Sequence, residues 1–216
     1  MRGVLMFDDF GGFLMQVVAG LPGLIIAMTV HEFSHAAVAV ALGDPTPKLQ
    51  GRLTLNPSAH IDPVGLLMLF LVRFGWAKPV MINPYNFKHP RRDDILVSLA
   101  GPVSNLVTAF VTLIVMVLMV KFGVEITPGI GTVFSLILIY NINFAIFNMI
   151  PIPPLDGSKV LIQLLPYELA RKVAELERYS FLILIVFLMT PILGSILVPM
   201  QRFILGMFES IIGVFF

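Results

Sequence analysis

Long apolar runs, rather than a short repeating period, dominate this chain. Residues 10–43, 95–120, 130–150 and 180–199 are each long and nearly free of charge, and a helix needs roughly 20 such residues to cross a bilayer. Each run predicts a membrane-spanning helix, the first with room for tilt or for a break at Gly20–Pro22. The apolar stretch 203–216 is short for a span of its own. "VGLLMLFLV" (64–72) is shorter still and predicts a re-entrant or interfacial segment whose ends return to one side. "KLQGRLTLNP" (48–57) instead alternates polar and apolar residues around Gly51 and closes on Asn56–Pro57. It predicts a short β-hairpin against the membrane face, with a plain connecting loop as the alternative. The expected fold is an all-α polytopic membrane protein of about 4–6 transmembrane helices, carrying that hairpin and the re-entrant segment.

Composition agrees. The 216 residues are 57% hydrophobic and 12% charged, against ~45–50% and ~25% for soluble domains. One membrane domain is expected over 1–216, with no sizeable soluble module. A net charge of +1 excludes the basic signature of nucleic-acid binding. No cleavable signal peptide is expected, because the first apolar run lacks a basic leader and continues into polar chemistry. Of the 14 Lys and Arg, 11 fall in 44–94 and 152–179. The positive-inside rule then places both segments in the cytoplasm and the N-terminus outside. That orientation requires 64–72 not to cross, as its length also says.

Against this background "VHEFSH" (30–35) stands out, with two histidines and a glutamate inside an apolar run. Ionisable groups there cost a few kcal/mol each. His31 and His35, four apart, project from one helical face and are spaced to share a zinc ion, with Glu32 beside the open position as general base. Packing histidines beside a buried acid are the plainer alternative. The chain has no cysteine, so any metal must use His, Asp or Glu. His60 and His89 are the remaining histidines, and Asp156 in "NMIPIPPLDGSKV" (148–160) is the carboxylate that stands out. Pro151, Pro153 and Pro154 forbid continued helix there, and Gly157 is free to take positive φ. His31 and His35 lie 12 and 8 residues before Gly43, about 18 and 12 Å from the helix end. The loop bearing Asp156 must fold inward to reach them; a solvated turn aspartate is its alternative role.

HEFSH in the first span, GPVSN (101–105) in the next and NMIPIPPLDG (148–157) after the third together resemble the site-2 protease family of intramembrane metalloproteases. "GRLTLNPSAHIDPVG" and "GWAKPVMINPYNF" are similar to its small prokaryotic branch, and the likeness covers about 20–180. The resemblance implies Zn²⁺ on His31, His35 and Asp156, Glu32 as catalytic base, and Asn148 as a substrate-binding residue. It implies an endopeptidase of the cell membrane that cleaves transmembrane proteins or peptides, without the PDZ-like or CBS domains of larger members. A divalent-metal transporter and a catalytically silent binding protein are the rival classes. A transporter would spread its polar residues along several spans, whereas here they concentrate at one depth. Gly101, Ser104, Asn105, Asn141 and Asn143 are expected to serve helix packing, with Asn105 bonding across a helix interface. His60 and Asp62 are expected either beside the site or stabilising their loop. Lys88–Arg92 is expected at the headgroups.

Overall fold

In the computed structural model the backbone is described for residues 5–72 and 75–215, and side chains for 18–69, 71 and 75–214. α1 (Leu5–Ala41) leads into two short helices, α2 (Thr46–Leu49) and α3 (Pro63–Val72). Two long helices follow, α4 (Pro90–Lys121) and α5 (Pro128–Asn148). Then come α6 (Asp156–Leu164), α7 (Tyr167–Glu175) and α8 (Ser180–Leu188), before the terminal α9 (Ile192–Phe215). Four of the described helices are long and apolar enough to span: Val18–Ala41, Pro90–Lys121, Pro128–Asn148 and Ile192–Val214. The chain is therefore a helical membrane protein.

α1, α4 and α5 pack mutually and form the centre. Lipid offers no hydrophobic drive between helices, so close approach of small residues takes its place. Ala27, Ala36 and Ala109 are fully buried, and a Cβ on Gly23 would come within 2.9 Å of the Leu136 carbonyl on α5. α9 closes one flank, where Ile204 and Phe208 join Ala109, Leu138, Ile142 and Ile146 in an apolar cluster.

Several expectations change. α1 runs unbroken through Pro22, because freed backbone groups in a membrane helix can be satisfied by neighbours. The last span is not 180–199. Pro191 has no amide to donate and disfavours helix at the residue before it, so α8 stops at Leu188 and Thr190 turns its hydroxyl back on the Phe187 carbonyl (2.7 Å). The long apolar helix starts afresh at Ile192 and absorbs 203–215.

The 48–57 hairpin is absent. Pro47 sits in the first positions of a single helical turn, Gly51 takes φ +69°, and the Arg52 amide donates to the Pro47 carbonyl (2.8 Å). Asn56 then caps a 3-10 turn at Pro57–Ala59 through the Ser58 amide. Local caps outweighed the alternation. Among the described residues the β pairing is one antiparallel bridge, Ile61 with Ala77, beside a Lys78 amide to His60 carbonyl bond of 2.9 Å. α3 has ten residues, so it reaches only about 15 Å. The chain doubles back after it, bringing Gly75 against the Gly65 carbonyl.

One aspartate ties this returning segment to the end of α1. Asp44, fully buried, accepts from the Asn83 amide (2.7 Å), Asn86 Nδ2 (2.7 Å) and the Thr46 hydroxyl (2.6 Å) and amide (3.1 Å). Burial works to raise its pKa, but the bonds from Asn83, Thr46 and Asn86 outweigh it and hold the carboxyl below the usual range. With the folded value below the unfolded one of about 3.9, its contribution is complete above that pH and is lost as pH falls through the depressed folded value. Asp44→Asn puts an amide nitrogen against donors, and the mispaired group is expected to cost about 1–3 kcal/mol. Thermal melts in detergent between pH 3 and 7 check it: the variant should melt lower at neutral pH and lose part of the parental acid sensitivity.

Candidate metal centre

The helical turn from His31 to His35 points both imidazoles at the start of α6. His31 Nε2 and His35 Nε2 lie 3.0 Å apart, and they lie 3.0 and 3.1 Å from the same atom, Asp156 Oδ2. All three residues are buried, and their ligand atoms form a group that could hold one metal ion. Asp156 reaches them because Pro151, Pro153 and Pro154 take the chain out of α5 and fold it inward, ending on a cis Pro153–Pro154 bond. Asp156 is then the first residue of α6, where the helix dipole favours an anion. Lys159 Nζ stands 3.8 Å from its other oxygen.

Gly157 is needed for space, not for φ. It lies inside α6, and an added Cβ would collide with the Met149 carbonyl. Gly101 has the same role in the centre itself. A Cβ there would sit 2.6 Å from His31 Cε1 and from His35 Nε2, so this glycine of α4 makes the room the two rings occupy.

The donor set fits a divalent metal. His35 Nδ1 lies 2.7 Å from the Val97 carbonyl, which can only accept. Nδ1 therefore carries the hydrogen, and Nε2 turns a lone pair towards the Asp156 carboxylate. Lone pairs converging at about 3 Å repel unless a cation stands among them, and the wider spacing that tetrahedral zinc asks of its ligands is only a few tenths of an ångström away. His31 Nδ1 is likewise engaged, 2.8 Å from Asn105 Oδ1, and the Phe144 ring packs edge-on against the imidazole.

Glu32 is buried beside the pair, and its Oε2 accepts from the Val80 amide at 2.9 Å. Two cavities share His31, Glu32, Asn148 and Pro154 in their walls. One, of about 580 Å³, is the more polar of the two, with Asp94, Ser98, Lys159 and Glu177. The other, of about 400 Å³, is apolar, with Leu24, Met28, Leu66, Phe144 and Phe181. Asn148 lines both, its Nδ2 donating to the Phe144 carbonyl (2.9 Å).

His31, Glu32, His35, Asn148 and Asp156 thus line one cavity, with His31, His35 and Asp156 converging at its wall. His60 does not join them: its Nε2 bonds the Thr54 carbonyl (2.8 Å), and Asp62 caps α3 through the amides of Val64 and Gly65. His60 stabilises its loop, whereas Asp62 does that and also lines the second cavity beside His31 and Glu32. Sequence reasoning missed the Val97 carbonyl, the Val80 amide and the space-making role of Gly101. It also treated Asn105 as interface packing, although Gly101 and Asn105 stand four apart on the face of α4 that meets the HEFSH turn. Lys88 to Arg92 is exposed along the entry to α4.

A spanning helical bundle with a buried HExxH pair completed by an aspartate defines a membrane metallopeptidase. The sequence comparisons agree with that class. The model of peptidase family M50 matches residues 115–191. The chain is 42% identical over 181 residues to the Bacillus subtilis (strain 168) protein named "Putative zinc metalloprotease YwhC", covering 82% of this chain and 83% of that one. It is 31% identical over 192 residues to Rip2 of Mycobacterium tuberculosis (strain H37Rv), which carries the same description, covering 86% of this chain and 71% of that one. No solved structure matches. The chain belongs to peptidase family M50, the site-2 protease family of zinc metalloproteases.

Proposed function

We propose that this protein is an intramembrane zinc endopeptidase of the cell membrane, cleaving peptide bonds within or beside transmembrane segments of other membrane proteins. The observation that carries the reading is the His31, His35 and Asp156 cluster with Glu32 inside a spanning helix. His31 Nε2, His35 Nε2 and Asp156 Oδ2 would hold the zinc. When bound, it supplies Lewis acidity that polarises a carbonyl and lowers the pKa of water. Glu32 does the proton work: one carboxylate oxygen is tied to the Val80 amide, and the carboxylate takes the proton of the attacking water and returns it to the leaving amine.

The two cavities support a substrate that is itself a membrane protein. A segment leaving the bilayer fits the apolar crevice with its membrane part and the polar cavity with the part beyond, so the scissile bond falls at their shared wall. A helical substrate hides its carbonyls in internal bonds, so it must unwind there, and Asn148, in the wall of both cavities, would bond the released backbone. The charge bias supports a cytoplasmic position for 44–94 and 152–179, and with them the polar cavity, α3 then being re-entrant.

The test is cleavage of a model transmembrane substrate by the purified protein in detergent. Chelation should abolish cleavage, stoichiometric Zn²⁺ should restore it, and Asp156→Ala should show neither bound zinc nor cleavage. A protein that carries Zn²⁺ across a vesicle membrane and leaves the substrate intact would make it a transporter instead.

A further inference from the structure

We propose that Asn105, held in turn by Asn141, is a positioning residue that fixes the tautomer and ring orientation of His31 for metal binding. This rests on the metalloprotease reading above and extends it to two side chains outside the ligand set. Asn105 and Asn141 are fully buried, so water cannot replace a lost partner. Asn141 Nδ2 stands 2.8 Å from the Ile137 carbonyl. A carbonyl only accepts, so the amide nitrogen must face it, and Asn141 Oδ1 is turned towards α4. Asn105 Nδ2 donates to that oxygen (3.0 Å) and to the Ala27 carbonyl of α1 (2.8 Å).

Both hydrogens of the Asn105 amide are then used. What it turns towards His31 Nδ1, 2.8 Å away, is its oxygen. An oxygen without hydrogen can only accept, so Nδ1 donates and Nε2 keeps its lone pair for the centre. Flipping either amide would set oxygen against oxygen in a buried place. The polarity is therefore locked at both ends by main-chain carbonyls on α1 and α5. His35 gets the same tautomer from the Val97 carbonyl, which no side-chain substitution removes. His31 alone gets it from side chains.

A buried asparagine that merely joins helices would need its two donated bonds and no particular aim for its oxygen. Two near-isosteric variants separate these roles. Asn105→Asp and Asn105→Leu both lose the donated bonds, but only the aspartate keeps an acceptor for His31 Nδ1. Partners of metal-bound histidines typically contribute 10–100-fold to metal affinity. Full-length metal-free protein in detergent, titrated with Zn²⁺ against a chromophoric chelator, should show Asn105→Leu weaker than the parent by roughly that factor. Asn105→Asp should stay closer to the parent than to the leucine variant. The visible bands of Co²⁺-loaded protein should shift in Asn105→Leu. Asn141→Leu, which touches no ligand, should show a smaller loss of affinity, and it decides the matter if Asn105→Leu does not fold. Equal losses in Asn105→Asp and Asn105→Leu, or parental affinity in Asn141→Leu, would overturn the proposal. A parental protein that binds no Zn²⁺ would instead overturn the metalloprotease reading, so the two failures are distinguishable.

Discussion

Glu32→Gln is expected to retain zinc and to lose cleavage by roughly 10²–10⁴-fold, the usual consequence of removing a general base. The amide is nearly isosteric with the carboxylate and still offers an oxygen to the Val80 amide, now 2.9 Å from Oε2. Its place between the two cavities should therefore persist. What it loses is the capacity to take a proton from water. Metal analysis and turnover on a model transmembrane substrate give the two readouts, and the effect should lie in kcat rather than in substrate binding. Turnover near the parental value with zinc in place would remove Glu32 from the mechanism.

Gly101→Ala should be as damaging by an opposite route, through one added methyl group. Its Cβ would lie 2.6 Å from His31 Cε1 and His35 Nε2, and 2.7 Å from His31 Nδ1. No real contact is that short, and α4 is packed between α1 and α5, so the rings must move. Metal ligation tolerates about 0.2 Å of displacement, and the same intrusion would part His31 from Asn105. Zinc content should drop well below one per chain, and cleavage should fall to the level of Asp156→Ala. The helix itself should not suffer, since alanine is favoured over glycine in a helix interior by about 1 kcal/mol. Thermal melting and helical content near parental values, with metal lost, is the expected pattern. Stoichiometric zinc in this variant would show that the rings have slack the structure does not give them.

These two residues also mark different degrees of legibility. Glu32 announces itself, because a charge in an apolar helix is expensive and its spacing between His31 and His35 has a chemical meaning. Gly101 carries no such signal. A glycine in a membrane helix reads as close packing, and only its partners reveal that it leaves room for two imidazole rings rather than for another helix.

The sequence by itself determined the membrane setting, the first three spans, the HEFSH face and the proline-broken turn that frees Asp156. Each follows from a local property: apolar length, a four-residue spacing, or a ring without an amide hydrogen. The tertiary structure decided the rest. It put the last span at 192–215 rather than 180–199, and it turned 48–57 into capped turns where an alternating pattern suggested strands. It brought Asp156 to within 3.1 Å of two histidines more than a hundred residues earlier. It also aimed the oxygen of Asn105 at His31, 74 residues away in the chain. Neither distance nor the direction of an amide is encoded in local pattern, because both depend on which helices meet and on which carbonyls are already in place to accept.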